Sequence, residues 1–268
     1  MAIRALTVEQ HEQVVARLVG LAGRVESLPG HATGIEYTSL MTCFLFHNMS
    51  CAKAILALHQ SMGADSFPTS AGYGLVRSLF EADVTAHYIS AEPLERSKRY
   101  IDFVHVLNKR EMDACAKHRT SKNDNWREGM QLAWNAHWAP REEEVNRRYA
   151  AVLPKFQKTD RKGKVSEYRN WSGKDIRTMA VEVDHEEAYD VFYSFLSSFA
   201  HADIHLADRF LRVGPAGPKW SMRADEFDVG NVFRYAATFL TCFLDLVGAQ
   251  FQTWSERDTR SCWDTDGA

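Results

Sequence analysis

Apolar positions recur at helical spacing along almost the whole chain, and strand-like alternation is nearly absent. Thr7 and Gln10 form a capping box ahead of Val8, Val15, Leu18, Leu21, Ala22 and Val25, and Pro29-Gly30 stops that helix. The pattern then predicts helices from about Ile35 to Ser61, ended by Gly63, from Pro68 to Ser90, and from Pro93 to about His118. After a polar loop at 119–125, Trp126, Met130, Trp134 and Trp138 recur at every fourth position and predict a shorter helix. Pro140 opens another, ending near Pro154. Residues 157–170 are polar, without an apolar period, and read as a long loop. Ser172 with Asp175 reads as a second capping box, for a short helix to about Val183. His185 to Val213 reads as one long aromatic-rich helix, 214–219 as a turn, and Asp228 as the cap of a last helix to about Trp254. No Gly/Ser- or Pro-rich linker divides the chain. The expected fold is therefore all-α, a single multi-helix bundle of about eight helices over 1–256, with a polar, frayed tail at 257–268.

Composition narrows the function classes only a little. Of 268 residues, 45 % are apolar and 25 % charged, which is ordinary for a folded chain. A net charge of −3 argues against coating nucleic acid by bulk charge. Locally the balance reverses: segment 155–177 carries eight Lys and Arg (Lys155, Lys158, Arg161, Lys162, Lys164, Arg169, Lys174, Arg177) against three acids. Interleaved with Phe156, Tyr168 and Trp171, these suit either RNA phosphates and bases or a solvated loop. The most apolar run, Leu40–Leu58, contains His47, Asn48, Ser50 and Lys53, and reads as a core helix with no membrane span. The five cysteines are odd in number and form no C-x-x-C, which points to a reducing, cytoplasmic setting. Walker A, G-x-G-x-x-G, H-E-x-x-H and G-x-S-x-G patterns are all missing, so no cofactor is expected.

Two segments carry a recognisable pattern: GLVRSLFEADVTAHYIS at 74–90 and WSGKDIRTMAVEVDHEEAYDVFYSFLSSFAHAD at 171–203. The spaced residues are Arg77, Glu81 and Tyr88; Trp171, Gly173, Ile176, Arg177, Met179 and Ala180; and Tyr189, Tyr193, Ser198 and His201. Together they resemble an uncharacterised family of bacterial all-helical proteins, over roughly 75–205. That family in turn looks distantly similar to the HEPN helical bundles, many of which are metal-independent ribonucleases in toxin and antiviral systems. The resemblance implies a helical bundle that pairs as a homodimer, with RNA and a cognate antitoxin or defence-system protein as partners.

Within the pattern, Arg77 and Glu81 are four residues apart on one helix face in apolar surroundings. They form either an ion pair that fixes helix register or a pocket for an anion. Ser198 and His201 share a stripe with His205 and Asp208. His201 is either a satisfied core histidine or a general base. Binding of a metal by His201, His205 and Asp208 is the weaker reading, because metal sites in bundles draw on several helices. The HEPN ribonuclease pattern, an Arg and a His separated by four to six residues, fits Arg99 and His105 with five between, which also read as a solvated helix face. Arg4–His11 and Arg24–His31 fit it too, and a chain of this composition yields about three such pairs by chance. The tryptophan stripe with His137 reads as core or interface.

The functional expectation is a HEPN-like, metal-independent ribonuclease or effector of a bacterial defence or toxin system. Arg77, Glu81, Ser198, His201, Arg99 and His105 would be its catalytic candidates, with Tyr88, Tyr193 and His205 binding ligand. The alternative is a non-catalytic helical module that binds an anionic nucleotide-like ligand or a protein partner.

Overall fold

Thr7 accepts from the backbone N–H of Gln10, and the Gln10 side chain accepts from that of Thr7, so the expected capping box opens α1 (Val8–Ala22). The computed structural model describes residues 6–200, 211–214, 217–220 and 226–265. They form helices α2 (Ile35–Met62), α3 (Thr69–Ala91), α4 (Pro93–His118), α5 (Asp124–Ala133), α6 (Glu142–Val152), α7 (Ile176–Glu182), α8 (Glu186–Ala188), α9 (Ser194–Ala200), α10 (Glu226–Phe251) and α11 (Glu256–Ser261). Two short antiparallel hairpins accompany them, β1 (Gln157–Thr159) with β2 (Val165–Glu167), and β3 (Leu211–Gly214) with β4 (Gly217–Trp220). The all-α class therefore holds, with three local corrections.

The stretch 157–170 is not a plain loop. Asp160 accepts from the N–H groups of Lys162 and Lys164, and Gly163 takes φ +80°, which closes β1 onto β2. The expected 185–213 helix is interrupted by a π turn at Tyr189–Tyr193, and Leu211–Gly214 is strand. The C-terminal segment is capped and docked. Ser255 and Asp258 form a capping box, Thr259 is bonded to Asp245, and Trp263 Nε1 donates to Thr241 at 3.0 Å.

The chain divides into two compact units, residues 1–93 with 176–268, and residues 94–175. In the first, α3 packs against α10, α2, α9 and α7, while α1 packs against α10 and α2. Tyr73, Val76, Phe80, Val84, Ala86 and Ile89 are sealed on α3, and Phe233, Phe243 and Leu244 on α10. Gly72 permits this approach, since a Cβ there would sit 2.7 Å from the Phe67 ring and 3.0 Å from Val232. Tyr73 donates to Asp228 Oδ1 at 3.0 Å and ties α3 to the start of α10. Helices α2 and α10 are long and apolar enough to cross a bilayer, and 56 % of the most apolar stretch of each is buried in the protein.

In the second unit, Met112 and Cys115 of α4 pack on Trp134, Trp138 and Val145. The expected Trp126–Trp138 helix is α5 followed by a π turn at Trp134–Trp138. That turn buries Trp134 and Trp138 and leaves Trp126 61 % exposed.

Candidate functional site

Arg77 and Glu81 meet on α3 as their spacing requires, and Tyr193 of the π turn completes the group. Arg77 Nε donates to Glu81 Oε1 at 2.8 Å and its Nη2 donates to Tyr193 Oη at 3.1 Å, while Tyr193 Oη donates to Glu81 Oε1 at 3.0 Å. Tyr189 stacks on Tyr193 with centroids 4.7 Å apart. Burial disfavours the Arg77 charge, but the bonds to Glu81 and Tyr193 outweigh it and hold its pKa above the ordinary value. Burial and then the Glu81 carboxylate push the Tyr193 phenol up. The Arg77 and Glu81 charges offset each other, and the Tyr193 hydroxyl bridges them.

Ser198, also expected at this site, is buried and donates to Phe195 O at 2.7 Å within its own helix. Tyr88 is buried on α3. His201, His205 and Asp208 lie outside the described residues.

Two residues beyond Glu81, on the opposite side of α3, lies a second group that sequence reasoning missed. Asp83 is fully buried, and His185 Nε2 approaches its Oδ2 at 3.1 Å. His87 Nδ1 lies 3.1 Å from Oδ1, but its N–H is directed at the Asp83 carbonyl, 3.0 Å away. Asp83 Oδ1 therefore has no hydrogen bond. The turn after α7 delivers His185: Asp184 takes φ +58°, and the His185 N–H closes on Ala180 O at 2.8 Å. His185 Nδ1 donates to Val183 O at 2.7 Å, and the two imidazoles lie 4.7 Å apart. Burial alone would raise the Asp83 pKa, yet the two histidines hold it below the usual carboxylate value. The bond to Asp83 raises His185 against its own burial. Burial, then the charges of Asp83 and Asp245, push the Cys242 thiol up to about 12, so it stays protonated. The available sequence signal was D-x-x-x-H at 83–87 in an otherwise apolar run.

The second unit carries the other expected pair, and the structure separates its members. Six residues along a helix turn the side chain by about 120°, so Arg99 and His105 leave α4 on different faces. Arg99 Nε donates to Trp171 O at 2.7 Å, and its guanidinium covers Phe156 and Tyr168 at 4.9 and 5.6 Å. Arg110 likewise bonds Glu167 and the carbonyls of Tyr168 and Arg169. These two arginines clasp the hairpin and the W-x-G turn to α4. Gly173 is needed there because its φ is +74° and a Cβ would meet the Tyr168 ring at 2.8 Å. Ser172 exchanges hydrogen bonds with the Lys174 backbone and does not cap α7, which starts at Ile176.

His105 instead faces a cleft of about 170 Å³ lined by Asn108, Arg141, Glu144, Val145 and Arg148. Arg148 pairs with Glu144, and Arg141 bonds His137. The His105 ring has no hydrogen-bond partner among the described residues. Its unit is basic: residues 94–175 hold 19 Lys and Arg against 12 Asp and Glu, or +7, and the rest of the chain holds 13 against 23, or −10. At the tip of the β1–β2 hairpin, Arg161, Lys162 and Lys164 are exposed, whereas Lys155 is held by Asp102 at 2.5 Å.

No curated protein and no solved structure matches this chain. Residues 38–217, about two thirds of the sequence, match the model of the family of unknown function DUF5677; the chain belongs to that family.

Proposed function

We propose that the protein is a HEPN-like, metal-independent ribonuclease whose reacting group is His105. The observation that supports this best is the unpartnered His105 imidazole in a cleft with two guanidiniums, on a unit of net charge +7. A neutral imidazole takes the proton of a ribose 2′-OH. The 2′-oxygen then attacks the adjacent phosphorus, the P–O5′ bond breaks, and the 5′-oxygen takes a proton from water. The products are a 2′,3′-cyclic phosphate and a 5′-hydroxyl end. Arg141 and Arg148 offset the charge that builds on the phosphorane oxygens, while Glu144 and His137 hold the two guanidiniums in place. The exposed cations Arg161, Lys162 and Lys164 supply phosphate contacts along the strand.

In this reading Arg99 positions the hairpin, and Arg77, Glu81 and Tyr193 hold the other unit together. The test is cleavage of end-labelled single-stranded RNA in excess EDTA. The wild-type chain should yield cyclic-phosphate ends, and His105→Gln should lose about 10²–10⁴-fold in rate with its melting temperature unchanged. Cleavage that disappears on chelation, or that survives in His105→Gln, overturns the proposal. No cleavage of any RNA by the folded chain leaves the alternative, a non-catalytic module for an anionic nucleotide-like ligand.

A further inference from the structure

We propose that Asp83, His87 and His185 bind a divalent transition-metal ion of the zinc class. Among the described residues, these three side chains present one ligand atom each within 4.8 Å of one another. They come from two elements, α3 and the turn after α7, so the ion would tie those elements together.

Three features support an ion over a plain polar cluster. First, Asp83 is fully buried, and its Oδ1 has no hydrogen bond. Its nearest polar neighbour, His87 Nδ1 at 3.1 Å, points its N–H elsewhere, and a buried carboxylate oxygen without a hydrogen bond is costly. Second, the His185 tautomer is fixed. A carbonyl only accepts, so the 2.7 Å contact with Val183 O puts a hydrogen on Nδ1. In the neutral ring, Nε2 then presents a lone pair to Asp83 Oδ2 at 3.1 Å. Two lone pairs then face each other, a clash that either a second proton on the ring or a metal ion between them relieves. An imidazole that donates Nδ1–H to a backbone carbonyl and points Nε2 at a carboxylate is arranged as metal-binding histidines are. Third, the spacing fits. Ligands at about 2.0–2.2 Å around a tetrahedral ion are about 3.3 Å apart, close to the 3.1 Å between Oδ2 and Nε2.

Two imidazoles and one carboxylate favour Zn²⁺, Fe²⁺ or Co²⁺ over Ca²⁺ or Mg²⁺, which take oxygen. Three protein ligands leave at least one coordination position open. The His87 and His185 side chains are 22 % and 18 % exposed, so water or a small anion reaches the site from the histidine side. The site lies in the acidic unit, and nothing in the His105 chemistry uses it.

The test uses the full-length chain, stripped with EDTA and exchanged into metal-free buffer. Titration with Co²⁺, followed by visible absorption, should saturate at one equivalent, and Zn²⁺ should displace it. His185→Gln, His87→Gln and Asp83→Asn should each weaken Co²⁺ at least about 100-fold, beyond what loss of an outer-shell partner costs. All three substitutions are close to isosteric, and circular dichroism identifies any that fails to fold. His105→Ala should bind Co²⁺ as the wild type does, which separates this site from the proposed ribonuclease cleft. Either of two results overturns the inference: no saturable binding by the folded wild-type chain, or one-equivalent binding that folded His185→Gln and Asp83→Asn leave intact. In the first case a proton holds His185 and Asp83 together as an ion pair.

Discussion

Helices α3 and α4 adjoin in sequence and treat polar side chains in opposite ways. Helix α3 buries 12 of its 23 residues, whereas α4 buries 5 of 26. Burial on α3 favours bonded polar groups, and Arg77 and Glu81 are bonded, through each other and Tyr193. On α4 more of the surface is open: Arg99 and Arg110 are bonded to the hairpin and the W-x-G turn, while His105 keeps both ring nitrogens free among the described residues. Charge follows the same division, −10 around α3 and +7 around α4. A conspicuous polar motif in an apolar helix thus reports packing more readily than reactivity. The groups free to meet an anion lie on the helix whose sequence is less distinctive.

The largest expected effect tests the surrounded helix. Phe80 is sealed between Tyr193 and Phe239, with centroids 5.8 and 5.1 Å away. Phe80→Ala should cost about 3–5 kcal/mol in urea unfolding. On α4, Ile101 is 36 % exposed, and Ile101→Ala should stay within about 0.5 kcal/mol. Equal costs would end the contrast between the two helices. Next in size is Gly173→Ala, which forces a side chain into a left-handed φ and against Tyr168. It should cost about 1–3 kcal/mol. The loss should appear as faster amide exchange over 165–175, with 69–91 unaffected. Exchange that rises in 69–91 would show that the clasp is not local to its unit.

These contrasts mark what the sequence carried. The Thr7–Gln10 capping box was legible because both partners are local, and most helix spans follow from apolar spacing. The β1–β2 hairpin was not legible by alternation, because its strands face solvent on nearly every side and bear no apolar face. Its trace was the D-x-x-G turn, Asp160 to Gly163. The division into two units left no linker signature, since α3 ends at Ala91 and α4 begins at Pro93. At the candidate metal group, Asp83 and His87 share a helix face and could be paired on spacing. His185 could not be added, because a left-handed Asp184 decides where it points. His105 was visible as half of a loose pattern, but its partners Arg141 and Arg148 come from residues nearly forty positions on.

Tyr193→Phe sharpens the comparison at a smaller scale. It removes the hydroxyl that accepts from Arg77 and donates to Glu81, and should cost about 1 kcal/mol. RNA cleavage should continue at the wild-type rate. His105→Gln should do the reverse, losing cleavage and keeping stability. If Tyr193→Phe abolishes cleavage in a chain of unchanged stability, chemistry belongs to the Arg77 group and the assignment of roles is inverted.

The smallest expected effect is the most direct test of where nucleic acid binds. Lys162 stands at the exposed hairpin tip of the basic unit, and Lys53 is exposed on α2 in the acidic one. Each is a single surface cation, so neither substitution to alanine should alter folding beyond about 0.5 kcal/mol. Binding to single-stranded RNA releases about 0.7 counterion per neutralised phosphate, and that number is the slope of log affinity against log salt. Lys162→Ala should therefore reduce the slope by about 0.7 and weaken binding a few-fold at moderate salt, whatever the RNA sequence. Lys53→Ala should leave the slope unchanged, because the net charge around it already repels phosphate. A slope that responds to Lys53 and not to Lys162 would move the RNA surface to the acidic unit and remove the electrostatic support for a reaction at His105.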